Sequence, residues 1–460
     1  MDKYFKISER GSTLRVEILG GLTTFMTMAY ILIVNPLTIS QGNSQIFNGV
    51  FFATCIASFV GTILMGVYAN APLAQAPGMG LNATFTFAIL PAMVVLSGNP
   101  NLDQVTAYQM GLSVILLSGV LFIIITVFGL REMVVEAIPN SIKAAISGGI
   151  GLMLAMVGFK GSGLFVADPA IIINMTSFQD FANPAVLSGL LCLLGLLIMT
   201  VLYAKRVKGS ILISIVTVTI LGYATGVSVI PDSFSFNLGA QAADFVNVSL
   251  FKVNFSAFTQ GGFLTALSTM LVLIISFSLS DMFDTIGTVL AVSKEGNLTD
   301  KDGNVPFMKR ALLSDAIATT VGAVTGTSTV TTFIESAAGI GEGAKTGFSS
   351  VIVAALFLAA IPLAPFMILV PGYATAPALI FVGALMLKQL KGVEFEDITI
   401  AVPALLTVFL MPITSSIATG IAFGLISFVL IKLFVGRYKE IKPLTAILAA
   451  LFVLKFVVGI

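Results

Sequence analysis

The chain has 460 residues, of which 57% are hydrophobic and 10% charged, with a formal net charge of +1. A soluble protein carries roughly 25% charged residues to solvate its surface, so this composition excludes a globular surface, and the charge excludes a strong field for nucleic acid. The absence of histidine removes the usual zinc ligands, the Ser/His and Cys/His catalytic pairs and the side chain that titrates near neutral pH, leaving proton chemistry to carboxylates. Cys55 and Cys192 lie inside apolar runs, where a buried thiol is expected rather than a disulfide.

The N-terminal run MDKYFKISERGSTLRVEILGG is polar and amphipathic and lacks the short apolar core and cleavage site of a signal peptide, so it should be retained. Apolar stretches of bilayer-spanning length, ~20 residues, then recur along the chain. They predict fourteen spans near 18–40, 46–69, 77–96, 105–130, 138–159, 184–204, 209–227, 263–290, 308–325, 327–342, 347–368, 372–388, 397–414 and 417–435. With the N-terminus in the cytoplasm, this path puts 20 of the 23 Lys and Arg on one side and only Lys160 and Lys252 opposite, with Lys455 undecided. Positive charge in short loops sets orientation, so an all-α, multi-pass protein with a cytoplasmic N-terminus is expected. Residues 444–460 read equally as a further span or an interfacial helix.

Two pairs of segments are alike. PNSIKAAISGGIGLMLAMVGFKG from Pro139 matches PGYATAPALIFVGALMLKQLKG from Pro371, and SFVGTILMG from Ser58 matches TTVGAVTG from Thr319. Seven spans per half would invert the second copy, the pattern of inverted-repeat transporters. After the second pair comes irregular chain. Two prolines and two glycines between Pro72 and Gly80 keep a continuous helix from starting before Leu81. The β-branched run Thr327, Thr329, Val330, Thr331, Thr332 becomes helical at about Phe333. Both read as extended chain feeding a half-helix, tolerated at membrane depth only when buried or lining a cavity. Two such half-helix N-termini facing each other would offer free N–H groups to a ligand at the midplane.

Most acids fall in loops or at span ends. Asp281, Asp284 and Glu335 do not, and Asp315 lies nearer a span end. A charged carboxylate at the centre of an inserted helix costs ~2.5–3.5 kcal/mol on translocon scales, so these residues need a reason. The i, i+3 spacing of Asp281 and Asp284 puts both on one helical face, and their span carries no cation. Desolvation then favours the neutral form, so protonation coupled to ligand binding is expected. Carboxylates accept hydrogen bonds, so the ligand should present N–H donors, as a cation or a neutral heterocycle; Glu335 suits two adjacent donors such as those of guanine. Phe85, Phe283 and Phe333 are candidates for an aromatic wall.

At these residues the chain resembles a known family. GGLTTFMTMAYILIVNP (20–36), APGMGLNATFTF (76–87), SDMFDTIGT (280–288) and TTFIESAAGI (331–340) are similar to motifs of the azaguanine-type hypoxanthine/guanine/adenine permeases, a branch of the nucleobase–cation symporters that includes the uracil and xanthine permeases. The resemblance covers essentially the whole chain. It implies a seven-plus-seven inverted repeat with a core domain (1–130 and 263–368) moving against a gate domain (131–262 and 369–460). Matched by motif, it implies that Asp281 and Glu335 bind substrate, with Asn82 at the start of the span-3 half-helix. Ala83 and Ile334 would supply backbone contacts. The uracil-type branch has a span-8 histidine tied to proton coupling; none exists here, which leaves Asp281 or Asp284 as the candidate proton carrier.

The expected function is import of hypoxanthine and guanine, with adenine as a further candidate substrate, across the cytoplasmic membrane by proton symport, with sodium as the other candidate ion, through elevator-like motion in a homodimer. The other readings are an anion exchanger of the sulfate-permease type, against which Glu335 speaks, and an uncoupled nucleobase channel. The Gly-rich runs lack the P-loop pattern, and neither an enzyme nor a cofactor is expected.

Overall fold

The computed structural model describes the chain except residues 1, 129–138, 169–171, 180–183, 231–236, 257–272, 275–276, 279–280, 283, 290–291, 294–295, 302–304, 368, 415–416 and 459–460. Among the described residues, eight helices are long and apolar enough to cross a bilayer. The first expected span is two helices, α1 (Leu14–Met28) and α2 (Ile31–Ser40), broken at Ala29–Tyr30. Next come α3 (Ser44–Val67), strand β1 (Gln75–Pro77), α4 (Met79–Ser97) and α5 (Gln104–Val127). Helix α6 (Asn140–Gly161) leads into a hairpin, β2 (Phe165–Asp168) with β3 (Ile172–Met175), that the hydropathy pattern did not foresee. It is followed by α7 (Pro184–Ala204), α8 (Ser210–Ala224) and the short α9 (Leu238–Asp244).

Much of the span expected over 263–290 lies outside the described residues; those described between 273 and 293 are helical. Beyond it run α10 (Met308–Thr325), β4 (Val330–Thr332), α11 (Ser336–Gly341), α12 (Gly347–Ala359), α13 (Gly372–Met386), α14 (Ile398–Thr414), α15 (Ile417–Phe434) and α16 (Pro443–Val458).

The helices pack in two sets. Helix α3 lies against α2, α10 and α12, with α5 on α10 and α1 on α11 and α12; α6 lies against α13 and α14, with α7 on α8 and α13 and α15 on α14 and α16. Loops expected to share a membrane side are tied together. On one side Tyr4 Oη donates to Val67 O at 2.8 Å, and Arg10 Nη1 to Asn70 O at 2.8 Å and Lys345 O at 3.0 Å. On the other, Gln104 Nε2 donates to Ser40 O and Asn48 Nδ2 to Asp244 Oδ2.

The two proline-led repeats meet at equivalent positions. A Cβ on Gly151 would lie 2.7 Å from Gly383 O, and one on Gly383 would lie 2.4 Å from Gly151 O, so the backbones touch where only glycine fits. Gly148 sits by Leu390 and Gly158 by Ile380; α6 and α13 are therefore antiparallel, and the two contacts exchange when the repeats are exchanged. Gly61 and Gly322, equivalent in the second pair of segments, likewise lie against Gln75 of β1 and Val330 beside Ser328 at β4. These local two-fold relations are what an inverted repeat requires.

Candidate functional site

The irregular segments meet as β1 and β4, antiparallel with Gln75 opposite Thr332, Ala76 opposite Thr331 and Pro77 opposite Val330. So short a ladder leaves backbone groups for others to satisfy. Phe333 N donates to Ala74 O at 2.9 Å and Gly78 N to Thr329 O at 3.2 Å, while Thr62 Oγ1 both donates to Gln75 O and accepts from Gln75 N at 2.9 Å. Ala74 N donates to Ser336 Oγ at 3.0 Å.

Helix α4 begins at Met79, two residues before the sequence-based limit, because Pro77 and Gly78 already hold the extended chain and Gly78 takes the N-cap place without a side-chain cap. Its course includes a π turn over Phe85–Ile89 next to Pro91, whose missing N–H opens the ladder. The second half-helix starts later than expected, at Ser336, and is short. Its first amides are also occupied: Ser336 N, Ala337 N and Ala338 N bond to Phe333 O, Ile334 O and Glu335 O. The expectation that both half-helices present free N–H groups is corrected accordingly. At the α4 end, with Met79 and Gly80 at the cavity, no side chain caps the first-turn amides.

In front of the crossing lies a cavity of ≈ 490 Å³. Its buried floor holds Tyr30, Gly78, Gly80, Thr331, Thr332 and Phe333, with the half-buried carboxylates Asp284 and Glu335 beside them. Tyr30 Oη donates to Glu335 Oε1 at 2.7 Å. The opposite wall is α6 (Ala144, Ser147) and α13 (Val382, Leu385, Met386), and the rim carries Asn140, Lys143, Lys388, Gln389 and Lys391.

The residues expected at the site divide into two groups. Glu335, Asp284, Ile334 and Phe333 line the cavity, Ile334 being 48% exposed. Asp281, Asn82 and Ala83 are fully buried and do not line it. Asp281 Oδ2 accepts from Thr329 Oγ1 at 2.9 Å and Thr319 Oγ1 at 3.4 Å, behind the strands. Asn82 Oδ1 accepts from Ser328 Oγ. The expectation that Asp281 and Asp284 act from one face is corrected: the i, i+3 offset is a large enough rotation for one to reach the cavity and the other the α10–β4 packing. Asp315 also points inward, accepting from Thr285 Oγ1 at 2.7 Å and Gln75 Nε2 at 3.3 Å. Phe85 is buried edge-on to Tyr108, away from the cavity, and Phe283 lies outside the described residues.

Tyr30 and Thr288 were not foreseen. Thr288 stands one turn beyond Asp284 and lines the cavity; its position inside SDMFDTIGT was the available signal. For Tyr30 the available signal was likewise its position inside GGLTTFMTMAYILIVNP.

The chain matches the Permease family, that of the xanthine and uracil permeases, over residues 15–423. It is 40% identical to a putative permease of Methanocaldococcus jannaschii over 99% of this chain and 98% of that protein. It is 37% identical to the adenine permease AdeP of Escherichia coli (99% and 96%) and 38% identical to the guanine/hypoxanthine permease PbuO of Bacillus subtilis (97% and 98%). Among solved structures, the transmembrane domain of the cyanobacterial bicarbonate transporter BicA superposes with a TM-score of 0.61 at 16% identity, covering 89% of this chain and 97% of that one.

Proposed function

Since the chain belongs to the xanthine/uracil permease family, and is thus a membrane transporter and not an enzyme, we propose that it imports purine nucleobases by proton symport. The observation that carries this reading is the pairing of Asp284 and Glu335 at one cavity beside the capless start of α4. A purine presents N–H donors on one edge and acceptors on another. The carboxylates accept from the donors, and the α4 amides donate to the acceptors. Phe333 closes the floor as an apolar surface for the ring, and the Ile334 backbone flanks Glu335. Asp284 is the proton carrier, because it stands in the cavity where proton and base exchange together; Asp281 and Asn82 hold β4 and its approach in place and act as positioning residues.

An anion at this position would face two carboxylates, which disfavours the exchanger reading despite the fold shared with a bicarbonate transporter. In fourteen spans, the set α1–α5 with α10–α12 moves as a core against α6–α8 with α13–α16, and the lysine-rich side is cytoplasmic by the distribution of positive charge. The dimer expected from the family stands as part of the same reading.

The test is uptake of radiolabelled hypoxanthine and adenine into proteoliposomes with imposed gradients. Uptake should follow a proton gradient, and Glu335→Ala or Asp284→Ala should abolish it at unchanged protein level. Uptake that ignores the proton gradient and follows sodium overturns the coupling; full uptake by Glu335→Ala overturns the site.

A further inference from the structure

Behind the cavity floor, hydroxyls connect the wall to a buried acid. Thr331 of β4 lines the cavity and packs against Gly78 at the start of α4. Its Oγ1 lies 2.7 Å from Thr285 Oγ1, which donates to Asp315 Oδ1 on α10 at 2.7 Å. Thr331, Thr285 and Asp315 are all buried, and Thr285 directly follows Asp284 in the chain.

A hydroxyl has one proton to donate, so this chain has a direction, and the ionisation of Asp315 sets it. As a carboxylate Asp315 accepts from Thr285, and Thr331 must then give its own proton to Thr285. As a neutral acid Asp315 has a proton to donate. Of the two donors on Oδ1 only Thr285 can reverse, since Gln75 offers Nε2 at 3.3 Å and turns its Oε1 toward Gly61. Thr285 then donates to Thr331, whose proton is free to turn to the cavity. One proton is taken up at Asp315 and two hydroxyl hydrogens rotate; no other bond changes.

We infer that Asp315 is a positioning residue for substrate recognition, acting through Thr285 and Thr331: a proton on Asp315 turns the Thr331 hydroxyl toward the acceptor edge of the bound base, beside the α4 amides. This rests on the purine reading above. Proton and base are thereby linked at a second place, behind the cavity, while Asp284 meets the base inside it. Among the described residues, the elements packed against α10 carry these titratable groups: Asp281 and Asp284 on the helical run with Thr285, Cys55 on α3 and Tyr108 on α5, with none on β1 or β4. On α10 itself Lys309 and Arg310 stand more than a turn before Asp315. Asp281 is held by Thr319 and Thr329, outside this chain of hydroxyls. Asp284 and Glu335 also titrate at the cavity, and removal of the Thr331 hydroxyl separates their effect from that of Asp315.

The experiment is the pH profile of radiolabelled hypoxanthine binding to the purified full chain in lipid nanodiscs. Wild-type affinity should fall as pH rises, with about fivefold of the fall, the worth of one hydrogen bond, due to this chain of hydroxyls. Asp315→Asn, whose neutral amide can donate to Thr285 at any pH, should match wild type in acid and bind about fivefold tighter than wild type in alkali. Thr331→Val should bind about fivefold weaker than wild type in acid and equal it in alkali. Thr285→Ser, which restores the hydroxyl, should follow wild type throughout. A merely structural role shifts affinity by the same factor at every pH. Such a uniform shift in Asp315→Asn or, should that variant not fold, in Thr331→Val overturns the inference and leaves the purine reading standing, as does full wild-type pH dependence in Thr331→Val. If wild type binds hypoxanthine at no pH, both fall.

Discussion

At the scale of single residues, the contact that orders the site is Tyr30 Oη on Glu335 Oε1. The hydroxyl holds one carboxylate oxygen in place and leaves the other side of the group to the ligand. Tyr30→Phe removes that donor and keeps the ring. A net hydrogen bond is worth about 1 kcal/mol, so hypoxanthine affinity should fall about fivefold; equal affinity by direct binding would mean the contact has no part in recognition. The intramembrane acids were legible in sequence because a carboxylate there demands a reason. Which of Asp281 and Asp284 reaches the cavity was not, since each residue turns the helix by about 100° and nothing local fixes its rotation. Tyr30 was still less visible, because its partner is hundreds of positions away.

At the scale of elements, the turn between α11 and α12 is held by Glu17 from the first turn of α1. Fully buried, its carboxylate accepts from Lys345 N at 2.9 Å, Ser349 N at 3.3 Å and Thr346 N at 3.4 Å. It thus satisfies the start of α12 and fixes the segment carrying Glu335. Glu17→Ala leaves these amides without their acceptor and should destabilise the protein on the order of 3 kcal/mol. Glu17→Gln, which retains an acceptor oxygen, should recover much of that in denaturant titration. Indistinguishable midpoints for wild type and Glu17→Ala would remove Glu17 from this role.

A second element-scale device joins α14 and α15. Lys432, with no side-chain exposure, lies 2.7 Å from Glu440 Oε2 and 3.5 Å from Asp397 Oδ2, and Arg437 bridges the same two acids at 2.6 and 2.7 Å. The Thr399 hydroxyl first, then Arg437 and Lys432, hold Asp397 below the usual carboxylate range; Lys432 and then Arg437 do the same for Glu440. A pKa lowered by folding adds stability above the unfolded value, about 4, and that stability is lost as pH falls through the folded value. The melting temperature of Glu440→Gln should therefore lie below that of wild type near neutral pH, with the gap closing under acid. A gap that widens toward low pH would contradict the assignment.

At the scale of the whole molecule, the two packed sets touch through exposed polar groups on the lysine-rich side. Lys208 Nζ, between α7 and α8, lies 2.8 Å from Glu342 Oε1 at the end of α11. If the sets move past one another, this pair must break. Exposed pairs contribute at most about 1 kcal/mol, so Lys208→Gln should shift the balance away from this conformation by no more than about fivefold. Cys55 and Cys192 are buried, so a Ser147→Cys probe in the cavity wall reports the shift as slower labelling by an impermeant thiol reagent. Faster labelling in the Lys208→Gln background would show that the pair restrains opening instead.

The sequence by itself determined that the chain is a helical membrane protein, which segments repeat, where two spans break and which few acids need explaining. Each follows from composition, period or local backbone chemistry. Tertiary structure decided that Asp284 rather than Asp281 meets Glu335, that Tyr30 fixes Glu335, that the second half-helix uses its own first amides, and that lysines from both copies of a repeat converge on one rim. Helix rotation and contacts between distant segments are set by packing across the whole fold, most directly by the approach of Gly151 and Gly383, and no local stretch of sequence carries that information.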